Sequence, residues 1–174
     1  MRFTVATLAD VFQELNALKA RGVTREYALG GATAALFYSE PVRTYDVDVF
    51  VLMPVASDSS LVPLRPIYEW ARNRGFTETA EHVVIHGVPV QFPPAHNALA
   101  EEAVISARVM DYAGTTVRVI SPEHLVALAL QVGGRRQRER AWHLLESGHV
   151  DRDAFRVLLS THGINVTIND GREE

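Results

Sequence analysis

The chain has 174 residues, of which 47% are hydrophobic and 22% are charged, and its formal net charge at pH 7 is −4. These values predict one soluble globular domain and exclude a global positive field that would attract nucleic acid. Because the chain has no cysteine, disulfides, cysteine-ligated metals and a cysteine nucleophile are also excluded. No apolar run is long enough for a signal peptide or a membrane span, so we expect a cytoplasmic protein without a membrane partner.

The first half of the chain alternates between helical and extended patterns. Apolar residues recur at helical spacing over 7–21, 32–38 and 64–74. A short apolar segment at 27–29 and a longer one at 46–52 predict strands, the second of them central in its sheet because it becomes continuously apolar.

The second half begins with further strands and ends with helices alone. Extended patterns cover 76–79, 82–86, 88–92 and 109–119, the last with a turn at Gly114. Helical patterns cover 97–108, 122–132, 136–147 and 151–162. This order predicts an α/β or α+β core over residues 1–120, a helical C-terminal part over 121–164 packed on that core, and a flexible tail over 165–174.

A diglycine follows the first predicted strand. Gly30 and Gly31 stand where the strand at 27–29 ends and the next helix begins. Glycine lets the backbone approach a ligand closely, and a helix N-terminus presents N–H groups that suit a phosphate. Thr33, in the first turn of that helix, would add a hydroxyl group. By itself a diglycine in this place is more often only a tight turn.

Two carboxylates follow, at alternate positions of the next predicted strand. Since alternate residues point to the same face of a strand, Asp46 and Asp48 are predicted to project side by side while Val47 faces the core. Such a pair suits Mg²⁺ or Mn²⁺, which would also bind substrate phosphates. An isolated pair is more often a solvated rim or a helix cap. Together with the diglycine, however, it indicates metal-assisted phosphoryl or nucleotidyl transfer.

This combination resembles the nucleotidyltransferase superfamily of the polymerase-beta type. The superfamily signature is an apolar residue and a diglycine, a helix, and then Asp-x-Asp on a strand. It matches Leu29-Gly30-Gly31 and Asp46-Val47-Asp48-Val49. The resemblance implies a mixed sheet flanked by helices, with a helical C-terminal part. It also implies an NTP substrate, a hydroxyl acceptor on RNA, a protein or a small molecule, and Mg²⁺ or Mn²⁺ held by the two aspartates.

A narrower resemblance is to the bacterial branch related to abortive-infection toxin nucleotidyltransferases. That branch has Arg-x-Thr-x-Asp-x-Asp where this chain has Arg43-Thr44-Tyr45-Asp46-Val47-Asp48. The stretch over 117–130 also resembles a strand-to-helix segment of the branch. This likeness implies a role in defence or a toxin–antitoxin system, with a cognate antitoxin-like partner.

Four residues beside the aspartates are predicted to bind the nucleotide. Gly30, Gly31 and Thr33 would take the triphosphate, and Arg43 would neutralise its charge by a bidentate contact. An ion pair between Arg43 and one of the aspartates is an equal alternative. Thr44 is a further nucleotide-binding candidate, although it can also simply cap the strand.

The chain departs from the superfamily pattern at two positions. A third carboxylate is usual on a later strand, and the matching position here is Gln91, whose amide can coordinate a cation but cannot act as a general base. Where the branch frequently has a lysine in the 122–130 helix, this chain has Ala129.

Three residues of the segment before Gln91 can substitute for the carboxylate or can be plain surface residues: Glu81, His82 and His86. The alternative function is therefore a catalytically degenerate module that binds a nucleotide or a protein.

A basic cluster follows in the next predicted helix. Four arginines lie close together near Trp142: Arg135, Arg136, Arg138 and Arg140. Such a cluster can meet RNA or a nucleotide phosphate. Because Glu139 interrupts it, a solvated helix face is the favoured interpretation.

Overall fold

The computed structural model describes residues 5–39, 45–54 and 64–165. Two predicted site residues, Arg43 and Thr44, lie outside the described residues. So do residues 55–63 and all but the first residue of the predicted tail over 165–174.

Seven helices and seven strands occur in the described part of the chain. The helices are α1 (Val5–Ala20), α2 (Gly31–Ala35), α3 (Arg65–Asn73), α4 (Ala98–Ile105), α5 (Pro122–Val132), α6 (Arg135–Glu146) and α7 (Arg152–Thr161). The strands are β1 (Glu26–Leu29), β2 (Val47–Leu52), β3 (Thr77–Glu78), β4 (Val83–Ile85), β5 (Val88–Gln91), β6 (Arg108–Tyr112) and β7 (Thr115–Val119). None of these helices is long and apolar enough to cross a membrane.

All seven strands form one mixed sheet in the order β3-β4-β5-β2-β1-β7-β6. At its centre β1 and β2 are antiparallel, while β1 is parallel to β7 and β2 is parallel to β5. The outer pairs β3–β4, β4–β5 and β6–β7 are antiparallel. Helices α1 and α4 pack against the central strands, so the predicted α/β class with a mixed sheet is confirmed.

Strand β2 is central because its side chains alternate between the core and the site. Val47 and Val49 are fully buried, as the sequence pattern predicted, and Asp48 between them faces the other way and is only partly buried. Pairing with β1 on one side and β5 on the other satisfies the backbone groups of this buried strand. The strand therefore holds one carboxylate rigidly at the middle of the sheet.

Two predicted elements differ from the structure in an informative way. The helix predicted over 32–38 ends at Ala35, because Phe37 and Tyr38 donate to carbonyls three residues back and tighten the final turn. The strand predicted over 109–119 is a hairpin, β6–β7. Ala113 and Gly114 both have positive φ at its turn, as a two-residue hairpin connection requires.

The C-terminal helices are joined to the sheet through a buried carboxylate at the start of α5. The backbone N–H of Asp151, the residue before α7, donates to Glu123 Oε1 at 2.8 Å, and Arg108 of β6 lies 3.2 Å from Glu123 Oε2. The Glu123 side chain is only 8% exposed. One carboxylate thus connects α5, α7 and the edge hairpin.

We predict that Glu123→Ala lowers the free energy of unfolding by about 2 kcal/mol, because the Asp151 N–H then loses its buried acceptor. Glu123→Gln keeps an acceptor oxygen and is expected to lose less than half of that. Urea unfolding followed by circular dichroism measures both. As the control, Asp153→Ala removes an exposed pair with Arg156 and should stay within about 0.5 kcal/mol of wild type. Equal losses in the alanine and glutamine variants would contradict the role given to the acceptor.

Candidate functional site

The diglycine lies directly beside the second aspartate, because β1 and β2 are antiparallel neighbours. Leu29 at the end of β1 pairs with Val49, and the next residue, Gly30, donates its N–H to the Asp48 carbonyl at 2.9 Å. Gly30 also accepts the N–H of Ala34 and so begins α2. The turn from strand to helix is therefore tied to β2 by one backbone hydrogen bond and to α2 by another.

Neither glycine has room for a side chain. A Cβ atom on Gly31 would lie 1.8 Å from Asp48 Oδ2, and Gly31 has a φ of +55°, which favours glycine. A Cβ atom on Gly30 would lie 2.5 Å from the Phe50 ring. The Asp48 carboxylate thus occupies the space that any larger residue at position 31 would need.

Asp46 is positioned by a hydrogen bond from α2. The Thr33 hydroxyl donates to the Asp46 carbonyl oxygen at 3.2 Å, and the Thr33 side chain is buried. This bond fixes the backbone just before β2. Thr33 does not line either cleft described below, so in this arrangement it holds the aspartate in place.

The Asp48 carboxylate is partly buried and lies close enough to Asp46 to feel its charge. Burial raises the pKa of Asp48, and the negative charge of Asp46 raises it further. Arg140 and His82 act in the opposite direction. Holding both aspartates ionised side by side is therefore unfavourable, and a bound cation would relieve this strain.

Gln91 occupies the position beside Asp48 on the neighbouring parallel strand, in register with it. Its side-chain amide nitrogen lies 2.9 Å from His82 Nε2, which is 3.5 Å from Asp46 Oδ2. Two nitrogen atoms at that separation require one acceptor, so either His82 Nε2 is unprotonated or the Gln91 amide presents its oxygen instead. A neutral amide and an imidazole thus stand beside the acid pair, at the position where the sequence resemblance implied a third carboxylate.

The other two candidates for the third position lie elsewhere. His86 Nε2 is 3.4 Å from Glu14 Oε1, and its ring packs edge-on against Phe76. Glu81 is exposed. Of the three residues, only His82 reaches the aspartates.

Two clefts adjoin at the carboxylates. The larger, about 420 Å³, is lined by Asp46 and Asp48, by the α2 side of the turn, and by polar residues of α6: Arg136, Glu139, Arg140 and His143. The smaller, about 210 Å³, contains Gly31, Gln91 and a mainly apolar wall: Phe50, Pro93, Leu125, Leu128, Ala129 and Val132. Asp48 and Arg140 line both clefts. Asp48 therefore lies between a cleft with charged side chains and a mainly apolar one, while Asp46 lines the charged cleft.

For the arginine cluster of α6 the sequence favoured a solvated face, with contact to RNA or a nucleotide phosphate as the alternative, so Arg136 and Arg140 were not assigned to this site. Both line the larger cleft. Arg140 stands four residues and Arg136 eight residues before Leu144, which is fully buried. Residues at that spacing lie along one side of a helix. The buried leucine was the available signal that this arginine stripe turns toward the core.

The donor set fits a divalent cation that shares its coordination with a ligand. No group of three or more histidines, aspartates or glutamates able to hold a metal occurs among the described residues. Mg²⁺, however, is commonly bound by one or two carboxylates together with water and substrate phosphates. Asp46 and Asp48, with the amide of Gln91 beside them, meet that requirement.

Comparison with known proteins finds similarity in structure only. No protein-family model and no curated protein sequence matches the chain. Among solved structures, an antigenic nucleotidyltransferase-like protein from Paracoccidioides brasiliensis is 14% identical, with a TM-score of 0.52, and the match covers 90% of this chain and 87% of that one.

The antibiotic-resistance factor ANT(2'')-Ia is similar in two solved structures. Its solution structure is 15% identical with a TM-score of 0.54, over 92% of this chain and 93% of that one. Its crystal structure in complex with adenylyl-2''-tobramycin is 16% identical with a TM-score of 0.53, over 89% and 96% of the two chains. These matches extend over almost the whole chain, and their TM-scores of 0.52 to 0.54 show a shared fold. The chain therefore has the fold of the nucleotidyltransferase superfamily.

Proposed function

We propose that this protein transfers a nucleoside monophosphate from an NTP to a hydroxyl acceptor, using Mg²⁺ or Mn²⁺. The observation that supports this most directly is the contact between Gly31 and the Asp48 carboxylate, with Asp46 beside it at an open cleft. A glycine at this contact lets the backbone and the carboxylate approach one ligand together. Two similar proteins of known structure are described as a nucleotidyltransferase-like protein and an antibiotic-resistance factor with an adenylylated ligand.

Asp46 and Asp48 would hold the cation, which when bound supplies Lewis acidity and neutralises phosphate charge. The Gly30–Gly31 turn would lie against the triphosphate, and Thr33 would keep Asp46 in place. Arg43 and Thr44 remain predicted nucleotide contacts. The acceptor oxygen attacks the α-phosphorus, the bond from that phosphorus to the β-phosphate bridging oxygen breaks, pyrophosphate leaves, and the hydroxyl proton passes to water.

The acceptor is proposed as a hydroxyl group on RNA, a protein or a small molecule. In the structure of ANT(2'')-Ia the adenylyl group is attached to tobramycin, which favours a small molecule for that protein. A defence or toxin–antitoxin role for this chain rests only on the sequence resemblance, in the Arg43–Asp48 pattern and the stretch over 117–130. Co-expression with the product of an adjacent gene would test for an antitoxin-like partner.

A second candidate function is nucleotide or protein binding without turnover. Gln91 favours it, because the amide beside Asp48 cannot accept the proton of an attacking hydroxyl group. The two functions differ in one result. Isothermal titration with ATP, GTP, CTP and UTP, with and without Mg²⁺, detects NTP binding by an enzyme or a nucleotide-binding module and none by a protein-binding module. Transfer of label from α-labelled NTP to tRNA or cell extract occurs only in the enzyme.

We predict that Asp46→Asn with Asp48→Asn abolishes Mg²⁺-dependent NTP binding and label transfer, because an amide is a far weaker cation ligand than a carboxylate. Titration calorimetry and the label-transfer assay measure the two losses. The matched control is Asp10→Asn, an exposed change on α1 that should leave both unchanged. Transfer that persists in the double variant would reject the site assignment.

Asp48→Asn by itself is predicted to unfold at a higher temperature than wild type at pH 7. The raised pKa of Asp48 means that folding disfavours its charged form, and the isosteric amide removes that charge. The loss of binding would then accompany a gain in stability, as expected for a functional site. Differential scanning calorimetry measures the shift, and a lower unfolding temperature would contradict the charge argument.

We predict that Gly31→Ala weakens Mg²⁺–NTP binding at least 10-fold, because its Cβ atom would displace the Asp48 carboxylate. The variant also incurs about 1 kcal/mol of backbone strain at positive φ. Gly22→Ala controls for strain alone, since Gly22 has a φ of +71° and no atom within 4 Å of an added Cβ. It should lose stability and keep its NTP affinity. Equal affinities in the two variants would show that the contact does not matter for binding.

A further inference from the structure

The arginines of α6 divide into two sets. Arg136 and Arg140 line the larger cleft with the aspartates, whereas Arg135 and Arg138 do not. A spacing of four residues places Arg136 and Arg140 on one stripe, about 6 Å apart along the helix axis. The cluster therefore presents two positive groups to the cleft.

These two guanidinium groups are weakly engaged within the described residues. The hydrogen bond from Arg140 goes to Gln137 Oε1 at 3.4 Å, near the limit for such a bond, and Arg136 forms no ion pair with a described residue. Glu139, the acidic residue between them that also lines the cleft, is bound by Arg135 at 2.9 Å. The local carboxylate is thus paired away from the stripe, and both arginines stay available to an anion.

Arg140 is the residue that spans the site. It lines both clefts, as Asp48 does, and its charge acts on the Asp48 carboxylate. Ala129 of α5, which stands at the position of the lysine expected from the resemblance, lines the smaller cleft together with Arg140. A ligand bound at Asp48 would therefore meet Arg140 on its opposite side.

We propose that Arg136 and Arg140 form the anion-binding wall of the site and bind the polyphosphate chain of the nucleotide. This inference rests on the proposed function and names a binding surface for which the sequence pattern favoured a solvated face. One divalent cation offsets only the charge of the two carboxylates, so the negative charge of a polyphosphate calls for further positive groups opposite them. Guanidinium groups donate paired hydrogen bonds to phosphate oxygens.

The surroundings favour a short polyphosphate over a nucleic-acid strand. The arginine stripe faces a cleft of about 420 Å³, which suits a small ligand. Backbone binding of RNA needs an extended basic surface, and this chain has a net charge of −4 and a glutamate within the cluster. RNA binding by the stripe is the competing outcome in the experiment below.

The test compares Arg140→Gln, Arg136→Gln and Arg138→Gln, using calorimetry with inorganic tripolyphosphate, ATP and AMP. We expect Arg140→Gln to weaken tripolyphosphate and ATP binding about 10- to 100-fold, the range for one charged hydrogen bond. Arg136→Gln should have a smaller effect in the same direction, and AMP affinity should change much less. Arg138→Gln removes the same charge from the same helix outside the cleft and should stay within about 2-fold of wild type.

One further variant and one further measurement distinguish loss of the proposed contact from a folding defect and from a general effect of charge. Arg140→Lys retains the charge but not the paired donors, so its tripolyphosphate affinity should fall between those of wild type and Arg140→Gln. Thermal unfolding of every variant should remain close to that of wild type. Equal losses in Arg138→Gln and Arg140→Gln would overturn the proposal, and so would loss of binding to a single-stranded RNA of 20 nucleotides with tripolyphosphate binding unchanged.

The outcomes separate this inference from the proposed function. If the Asp46→Asn, Asp48→Asn double variant loses Mg²⁺–ATP binding while Arg140→Gln binds like wild type, the arginine wall is rejected and the proposed function stands. If tripolyphosphate binding depends on Arg140 but no nucleotide is transferred and the aspartates do not affect ATP binding, the wall stands and the proposed function is rejected. A wild-type protein that binds neither ligand rejects both.

Discussion

The site depends on one close contact, between the α-carbon of Gly31 and the carboxylate of Asp48. Pairing of β1 with β2 brings the strand-to-helix turn beside the aspartate, and the absence of a side chain lets the two touch. The same backbone hydrogen bonds that start α2 hold the turn in place. A backbone and a carboxylate held this closely can act on one ligand, and the proposed chemistry needs that proximity.

The groups around this contact have opposing effects on the ionisation of Asp48. Asp46 and partial burial both disfavour the ionised form of Asp48, while Arg140 and His82 stabilise it. Ionisation of Asp48 in these surroundings lowers the stability of the protein when no ligand is bound. The site suits a ligand that combines a cation with an anionic chain, which is the composition of a metal-bound nucleotide. Stability given up at a functional site is common in proteins.

The fold and the acid pair were largely predictable, because they depend on local patterns. The alternating Asp46–Val49 segment predicted a strand with buried valines and a carboxylate on the other face, and both features are present.

The link between His82 and Gln91 was not predictable in the same way. It requires the β4–β5 pairing and the turn in which Thr79 and His82 bond to each other, and these are tertiary features. Which way Arg140 faces depends on how α6 is oriented relative to α5. The connection between these helices contains Gly133 and Gly134, both with positive φ. The spacing of apolar residues in a helix does not predict the angle between two helices.

We propose that Asp46 and Asp48 bind one cation together with the phosphates of a nucleotide. Anomalous scattering from crystals grown with Mn²⁺ and a non-hydrolysable ATP analogue would locate that cation. We expect a manganese peak within coordinating distance of both carboxylates, with the phosphate chain between it and the Gly30–Gly31 turn. A nucleotide bound elsewhere, or manganese bound without either aspartate, would contradict it.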